Sequence, residues 1–297
     1  PICLSTRTHA DGVGAAHPVL VVRYVPAKDG ARSGHNREHH CRTEDKSQGM
    51  QQRIVLGNDV VGERHPDAGQ RRNEPRENGD AAGDILSGIE NLIGSSLADV
   101  LNGDAGGNAL NGGLGDDTLI GGAGADVLTG GGGTDTASYA SASVGVSASL
   151  GNGAGNTNDA LGDTYSGIAN LIGSGLNDSL GGDGGNNVLD GGAGNDTLDG
   201  GAGADTLIGG AGTDSASYAS SGAGLTVNLG NAALNTGDAV GDAYSGIENL
   251  AGSGFADLLT GDGGANAIDG GAGNDTLVGG AAADTLTGGA GTDTADY

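Results

Sequence analysis

The sequence has no tryptophan, a single phenylalanine (Phe255), one methionine and two cysteines. A core built on large aromatic rings is therefore excluded, since such rings normally supply much of the buried apolar area. Cys3 and Cys41 can make at most one bridge, which excludes a disulfide-stapled scaffold and says little about redox compartment. No run approaches the ~18 apolar residues of a membrane helix. Val19–Val22 is too short, and wrongly flanked, for the core of a signal peptide.

Positive charge is missing from most of the chain. All 12 Lys and Arg residues and all six His precede Glu77, the last basic residue being Arg76. From Glu77 onward there are 29 acidic residues and no basic one, whereas the stretch before it holds only nine acidic ones. A polyanion of this kind cannot neutralise itself through salt bridges, and self-repulsion opposes its compact state. Nucleic acid is excluded as a partner on the same ground. With neither His, Cys, Lys nor Arg in the region, no catalytic constellation can be assembled there, and we read the chain as a non-enzyme. Its many glycines add backbone entropy to be lost on folding. Such a segment should be largely disordered unless something supplies positive charge. Divalent cations are the partner its charge calls for.

What the region does have is a nine-residue unit, Gly-Gly-x-Gly-x-Asp-x-Leu-x. Gly112–Ile120 is GGLGDDTLI, Gly121–Thr129 is GGAGADVLT and Gly191–Asp199 is GGAGNDTLD. Five units follow one another from Gly94, five from Gly173 and five from Gly252. The sixth position is Asp in all but the second unit of each block, which has Asn108, Asn187 or Asn266 and carries Asp104, Asp183 or Asp262 at its second position. The eighth position is apolar (Leu101, Leu110, Leu119, Leu128) and weakens to Ala137, Ala216 and Ala295 in the fifth units, where we expect the regular coil to loosen.

A longer period of 79 encloses the short one: Ser87-Gly88-Ile89-Glu90-Asn91-Leu92 returns at Ser166 and at Ser245. This divides the chain into a segment 1–78 and superrepeats 79–157, 158–236 and 237–297, the last stopping short of a full period. With Pro1 at its start, the chain reads as a fragment or processed product. Between blocks, Val144, Val146, Ala148 and Leu150 alternate, as do Leu225, Val227 and Leu229, the pattern of a half-buried strand. A Gly/Asn/Asp loop follows. These linkers should extend the same stack with longer turns, and Tyr139, Tyr218 and Tyr297 at the block ends should cap its thin core.

The chemistry follows from the spacing. The first six residues of a unit form a turn whose backbone angles demand glycine, and the last three form a short strand. Calcium takes six to eight oxygens at ~2.3–2.6 Å from carboxylates and backbone carbonyls, and one turn offers about half such a shell. If two nonapeptides make one coil, units n and n+2 stack on one edge, so that Asp117 faces Asp135 while Asp126 on the opposite edge pairs with the second unit. Three blocks then offer about nine sites, which would offset about 18 of the 29 negative charges. The plain alternative is that these Asp residues are only polar turn residues. Their fixed placement in unit after unit favours ligands.

These units resemble the RTX family, bacterial proteins with haemolysin-type calcium-binding repeats. The resemblance implies an all-β fold, a parallel β-roll (β-solenoid) with calcium ions in rows between turns. It also implies export through type I secretion machinery, unfolded in the low-calcium cytoplasm, followed by folding outside the cell. By position, the carboxylate ligands would be Asp117, Asp135, Asp196, Asp214, Asp275 and Asp293, with Asp126, Asp205 and Asp284 on the opposite edge and Asp99, Asp178 and Asp257 in the first units. Carbonyls of residues such as Gly113, Gly115, Gly130 and Gly132 would complete the shells. Sites using the second units, or Gly279–Thr287 with its Ala281-Ala282-Ala283, should be weaker or empty.

Segment 1–78 is expected to be disordered. His35-Asn36-Arg37-Glu38-His39 matches the H-x-x-E-H pattern of some zinc peptidases, but the region lacks the apolar periodicity of a supporting domain. Adventitious zinc or nickel binding by His35, His39, His40 and Cys41 is a simpler reading. So is out-of-frame translation of an upstream repeat: codons for Asn-Asp-Thr-Leu and Gly-Asn-Asp-Ala, read out of frame, can yield Arg-His-Pro and Gly-Gln-Arg-Arg, which stand at Arg64-His65-Pro66 and Gly69-Gln70-Arg71-Arg72.

Two functions compete for the whole. One is a secreted or cell-surface structural or adhesive spacer with an unknown surface or matrix partner, which an array extendable copy by copy favours. The other is the export and folding module of a secreted toxin or hydrolase, such as a protease or lipase, whose catalytic domain lies elsewhere.

Overall fold

A computed structural model of the chain describes residues 3–9, 17–23, 53–55 and 88–297. The chain divides into two compact units, Pro1–Ile93 and Gly94–Tyr297. In the first, Cys3–His9 pairs antiparallel with His17–Arg23, from Cys3 opposite Arg23 to His9 opposite His17. His17–Arg23 pairs parallel with Arg53–Val55, and that strand with Asn91–Ile93. The strands Cys3–His9, His17–Arg23 and Arg53–Val55 are what the structure describes of segment 1–78, expected to be disordered. The H-x-x-E-H motif, Cys41 and the residues pointing to frame-shifted translation lie outside the described residues.

The second unit is a parallel β-solenoid. Strands of mostly three residues alternate with glycine-rich turns, and each pairs in parallel with the strand two nonapeptides on, as Leu101 does with Leu119 and Leu110 with Leu128. Two nonapeptides thus make one coil. The period-nine pattern dictates this: a strand of three residues presents only its middle side chain inward, and one coil supplies two such strands facing each other. The resulting core is two ladders of leucine, with Leu119, Leu171, Leu189, Leu198 and Leu207 wholly buried. Each buried Leu contributes about 1.5–3 kcal/mol, and stacking on neighbouring coils makes a core one residue thick sufficient.

Each linker treats the two faces differently. One sheet runs from Val100–Asn102 through Thr118–Ile120 and Thr136–Ser138 into the linker strand Asn170–Ile172, then on through Val188–Asp190 and Thr206–Ile208 to Ala243–Ser245. On the other face Ala109–Leu114 and Val127–Gly132 are followed by Thr164–Ser166, where that sheet stops. A new sheet starts at Ser147–Ser149 and continues through Ser179–Gly181 and Thr197–Asp199 to Thr285–Thr287. The second linker reverses the roles: it carries this newer sheet through at Asn249–Ala251 and starts another at Thr226–Asn228. The linkers therefore extend the stack on one face only and splice the other, through short 3-10 turns such as Gly153–Gly155 and Asn158–Ala160. Five units per block, an odd number, plus one carried-through strand put the odd units of one block in register with the even units of the next.

The coil does not loosen at the fifth units of the first two blocks, whereas Ala295 in the third is exposed. Ala137 is fully buried and sits between Leu119 and Leu171 in the ladder. The volume lost from Leu to Ala is accompanied by a buried ring two positions further along, Tyr139 in the first block and Tyr218 in the second. Tyr297, at the corresponding place in the third, is fully exposed.

Candidate metal centres

The turns stack as the strands do, which brings sixth-position carboxylates into columns. In the third, fourth and fifth units each aspartate uses one oxygen, Oδ1, to accept the backbone N–H of the sixth residue one coil earlier. Asp99 N–H donates to Asp117, and Asp117 N–H to Asp135, both at 2.8 Å. On the opposite edge Asn108 N–H donates to Asp126 at 2.7 Å. In the second block Asp178 N–H donates to Asp196, Asp196 N–H to Asp214 and Asn187 N–H to Asp205, each at 2.8 Å. In the third, Asp257 N–H donates to Asp275 and Asp275 N–H to Asp293, while Asn266 N–H donates to Asp284.

The second oxygen is the informative one. Oδ2 of Asp117, Asp126, Asp135, Asp196, Asp205, Asp214 and Asp275 is buried and has no hydrogen-bond partner. A buried carboxylate oxygen without a partner costs several kcal/mol if the group is charged. Its proton affinity records that cost: burial pushes Asp126, Asp196 and Asp205 up to about 6, against the pull of the backbone N–H each accepts. Neighbouring carboxylates push the same way, Asp163 at Asp126 and Asp178 and Asp214 at Asp196. Asp117, Asp214 and Asp275 are raised too, again chiefly by burial.

What surrounds these oxygens is more oxygen. A Cβ placed on Gly270 would lie 2.5 Å from Asp275 Oδ2 and 2.7 Å from the Gly288 carbonyl oxygen, one coil on. On Gly130 it would press on Asp135 Oδ2 and the Gly167 carbonyl, and on Gly112 on Asp117 Oδ2. The first glycine of the unit thus lets a carboxylate and a carbonyl oxygen approach the backbone more closely than any side chain would allow. Among the described residues no three carboxylate, imidazole or thiol groups converge on a point, so any shell is mostly backbone carbonyl. That donor set suits a hard cation that takes many neutral oxygens, and not zinc, which wants nitrogen or thiolate.

The other residues singled out by spacing are placed as follows. Gly113 and Gly115 take φ of +106° and +107°, open only to glycine at low cost, and Gly115 N–H donates to the Gly132 carbonyl at 2.6 Å. Asp99 accepts from Ser95 N–H. Asp284 and Asp293 are half-buried. Asp178 and Asp257 differ from the rest, because both their oxygens are hydrogen-bonded, to Ser174 and Val146 and to Ser253 and Leu225 respectively.

Three linker residues extend the columns that spacing alone had ended. Asp126 N–H donates to Asp163 and Asp205 N–H to Asp242, so Asp126 has a carboxylate on its far side besides Asn108. Asp214 N–H donates to Glu248 at 2.8 Å. Nine-residue spacing misses all three, but Gly-Asp-x-Tyr-Ser-Gly-Ile at 162–168 and again at 241–247 marks two of them through the longer period.

Fold and turns together define a parallel β-roll whose edges carry buried carboxylates facing carbonyl oxygens, the architecture of a cation-binding solenoid. The family model of the RTX calcium-binding nonapeptide repeat, four copies long, matches residues 84–119, 102–137, 181–216, 242–277 and 269–296. The chain carries RTX nonapeptide repeats, and such repeats bind calcium. Comparison with curated proteins gives no match. Among the described residues no helix is long and apolar enough to cross a membrane.

Proposed function

We propose that calcium folds this chain. About nine ions held by sixth-position aspartates, Asp117, Asp126, Asp135, Asp196, Asp205, Asp214, Asp275, Asp284 and Asp293, with turn carbonyls such as those of Gly113, Gly115, Gly130 and Gly132, cancel the repulsion of a region with no cation of its own. Superrepeats 79–157, 158–236 and 237–297 act as successive modules of a secreted or cell-surface protein that serves as a structural or adhesive spacer. Asp99, Asp178 and Asp257 line the same columns. Export by type I secretion in the unfolded, calcium-free state fits an affinity of ~10⁻⁴–10⁻³ M, usual for extracellular modules.

The observation that carries this reading is the set of seven buried, unpartnered Oδ2 atoms, each at the same place in its turn. A merely solubilising aspartate would point that oxygen to water. The spacer role is favoured over an export module for an enzyme by the carried-through strands Asn170–Ile172 and Asn249–Ala251, which join block to block without interrupting the ladder.

Far-ultraviolet circular dichroism of the full chain during a calcium titration, with magnesium as control, tests the reading. A cooperative coil-to-β transition with calcium alone is expected. A β-rich spectrum in chelator, unmoved by calcium, would end it.

A further inference from the structure

Sixth positions and their linker counterparts fall into two classes that the repeat consensus does not distinguish. In the third, fourth and fifth units of the first two blocks, and at Asp275, Oδ2 is buried and bare. Next to the linkers, a donor from the protein occupies the corresponding oxygen. Tyr139 donates its hydroxyl to Asp163 Oδ2 at 2.7 Å, and Tyr218 to Asp242 Oδ2 at 2.6 Å. Each tyrosine also shares a short hydrogen bond with a second one, Tyr165 or Tyr244, which in turn accepts from Asn156 or Asn235. Ser174 gives Asp178 both its N–H and its hydroxyl, and Ser253 does the same for Asp257.

The second units complete the pattern. In their asparagines Oδ1 takes the place of Oδ2 beside the head glycine, accepting the N–H of Asp183 or Asp262, and the N–H₂ takes the place of Oδ1. Asn187 donates it to the Ala169 carbonyl at 2.8 Å, and Asn266 to the Glu248 carbonyl at 2.6 Å. These carbonyls belong to the linker, one coil before. With its Oδ1 held by a backbone N–H and its amide on a linker carbonyl, each of these asparagines has its polar atoms satisfied by the protein.

We propose that the linkers are metal-free seams. Tyrosines satisfy the linker carboxylates Asp163 and Asp242, serines those of Asp178 and Asp257, and asparagine amides the linker carbonyls of Ala169 and Glu248, so calcium loads only the third to fifth units of each block, as separate cassettes. The inference rests on the calcium reading above and narrows it: Asp178 and Asp257 leave the ligand set, and Asp163 and Asp242, though in line with the columns, never join it. The physical reason is competition. A carboxylate whose four lone-pair directions already meet two or three donors has little to offer a cation, and displacing those donors would leave buried hydroxyls unpaired. A seam of this kind lets blocks be joined where the column is spliced and no regular turn exists to complete a shell.

The test is the number of calcium ions bound by the full-length chain, from equilibrium dialysis or native mass spectrometry, with circular dichroism in saturating calcium as the fold control. The paired variant Asp163→Asn/Asp242→Asn is expected to bind as many ions as the parent, and Asp178→Asn/Asp257→Asn likewise. Asp117→Asn/Asp196→Asn is expected to bind at least two fewer. Loss of ions in either linker-proximal pair that still folds overturns the proposal, and if one pair fails to fold the other decides. A parent chain that binds no calcium at all would instead sink the function proposed above.

Discussion

Asp126 and Asp163 lie 37 residues apart, yet the N–H of the first donates to Oδ1 of the second at 2.8 Å. Asn108 and Asp126, one coil earlier on that edge, make the same bond across just two nonapeptides. A linker of irregular sequence thus delivers its carboxylate to the place the next turn would have filled. Asp205 and Asp242 repeat the relationship at 2.9 Å.

Proton and calcium should therefore act alike on the empty fold. Asp126, Asp196 and Asp205 stand at about 6 when folded without metal, against ~3.9 in an unfolded chain. Between those values the folded chain holds protons that the unfolded chain has released. Stability is then greatest below the unfolded pKa and falls as pH rises through about 6. In metal-free buffer, acidification from about pH 7.5 to about pH 5 should increase β-structure by circular dichroism. A loss of β-structure over that window would contradict the burial of these groups.

A methyl group at the head of a unit collides with that unit's own carboxylate. Gly270→Ala places a carbon 2.5 Å from Asp275 Oδ2 and 2.7 Å from the Gly288 carbonyl. The expected result is loss of at least one bound ion and destabilisation of the calcium-loaded form by about 1–3 kcal/mol, read from ion counting and thermal melts. Ala at the exposed and unobstructed Gly263 should change neither.

One unit runs against its backbone. Ala282 takes φ of +79°, in the place where Gly124 and Gly203 take +126° and +138°. A side chain there costs roughly 1–2 kcal/mol. Ala282→Gly should recover about 1 kcal/mol of that, raising Tm in saturating calcium by about 2–4 °C for a unit of this size.

The ladder itself should be as sensitive as a larger core. Leu198 is fully buried between Leu180 and Ala216. Leu198→Ala should cost about 2–5 kcal/mol and move the calcium midpoint of folding upward without changing the number of ions bound at saturation.

Much was legible from one dimension. Period nine, with leucine at the eighth position and glycine where φ turns positive, determined the short strand, the tight turn and the two-unit coil, because each of these depends on residues no more than a coil apart. The charge of the chain and the identity of the sixth residue determined that the turns would want a hard cation. Tertiary structure alone decided which carboxylates want it. Asp117 and Asp178 are the same residue at the same position of the unit, yet Asp117 Oδ2 is bare while Asp178 is held by Ser174 and Val146. Ala137 was expected to loosen the coil, and a strand from across the linker, Asn170–Ile172, holds it in place. Tertiary structure also decided the exchange of faces at each linker, which depends on where a returning strand finds an open sheet edge. A repeat consensus records what every copy shares, and these choices are made by contacts that only some copies have.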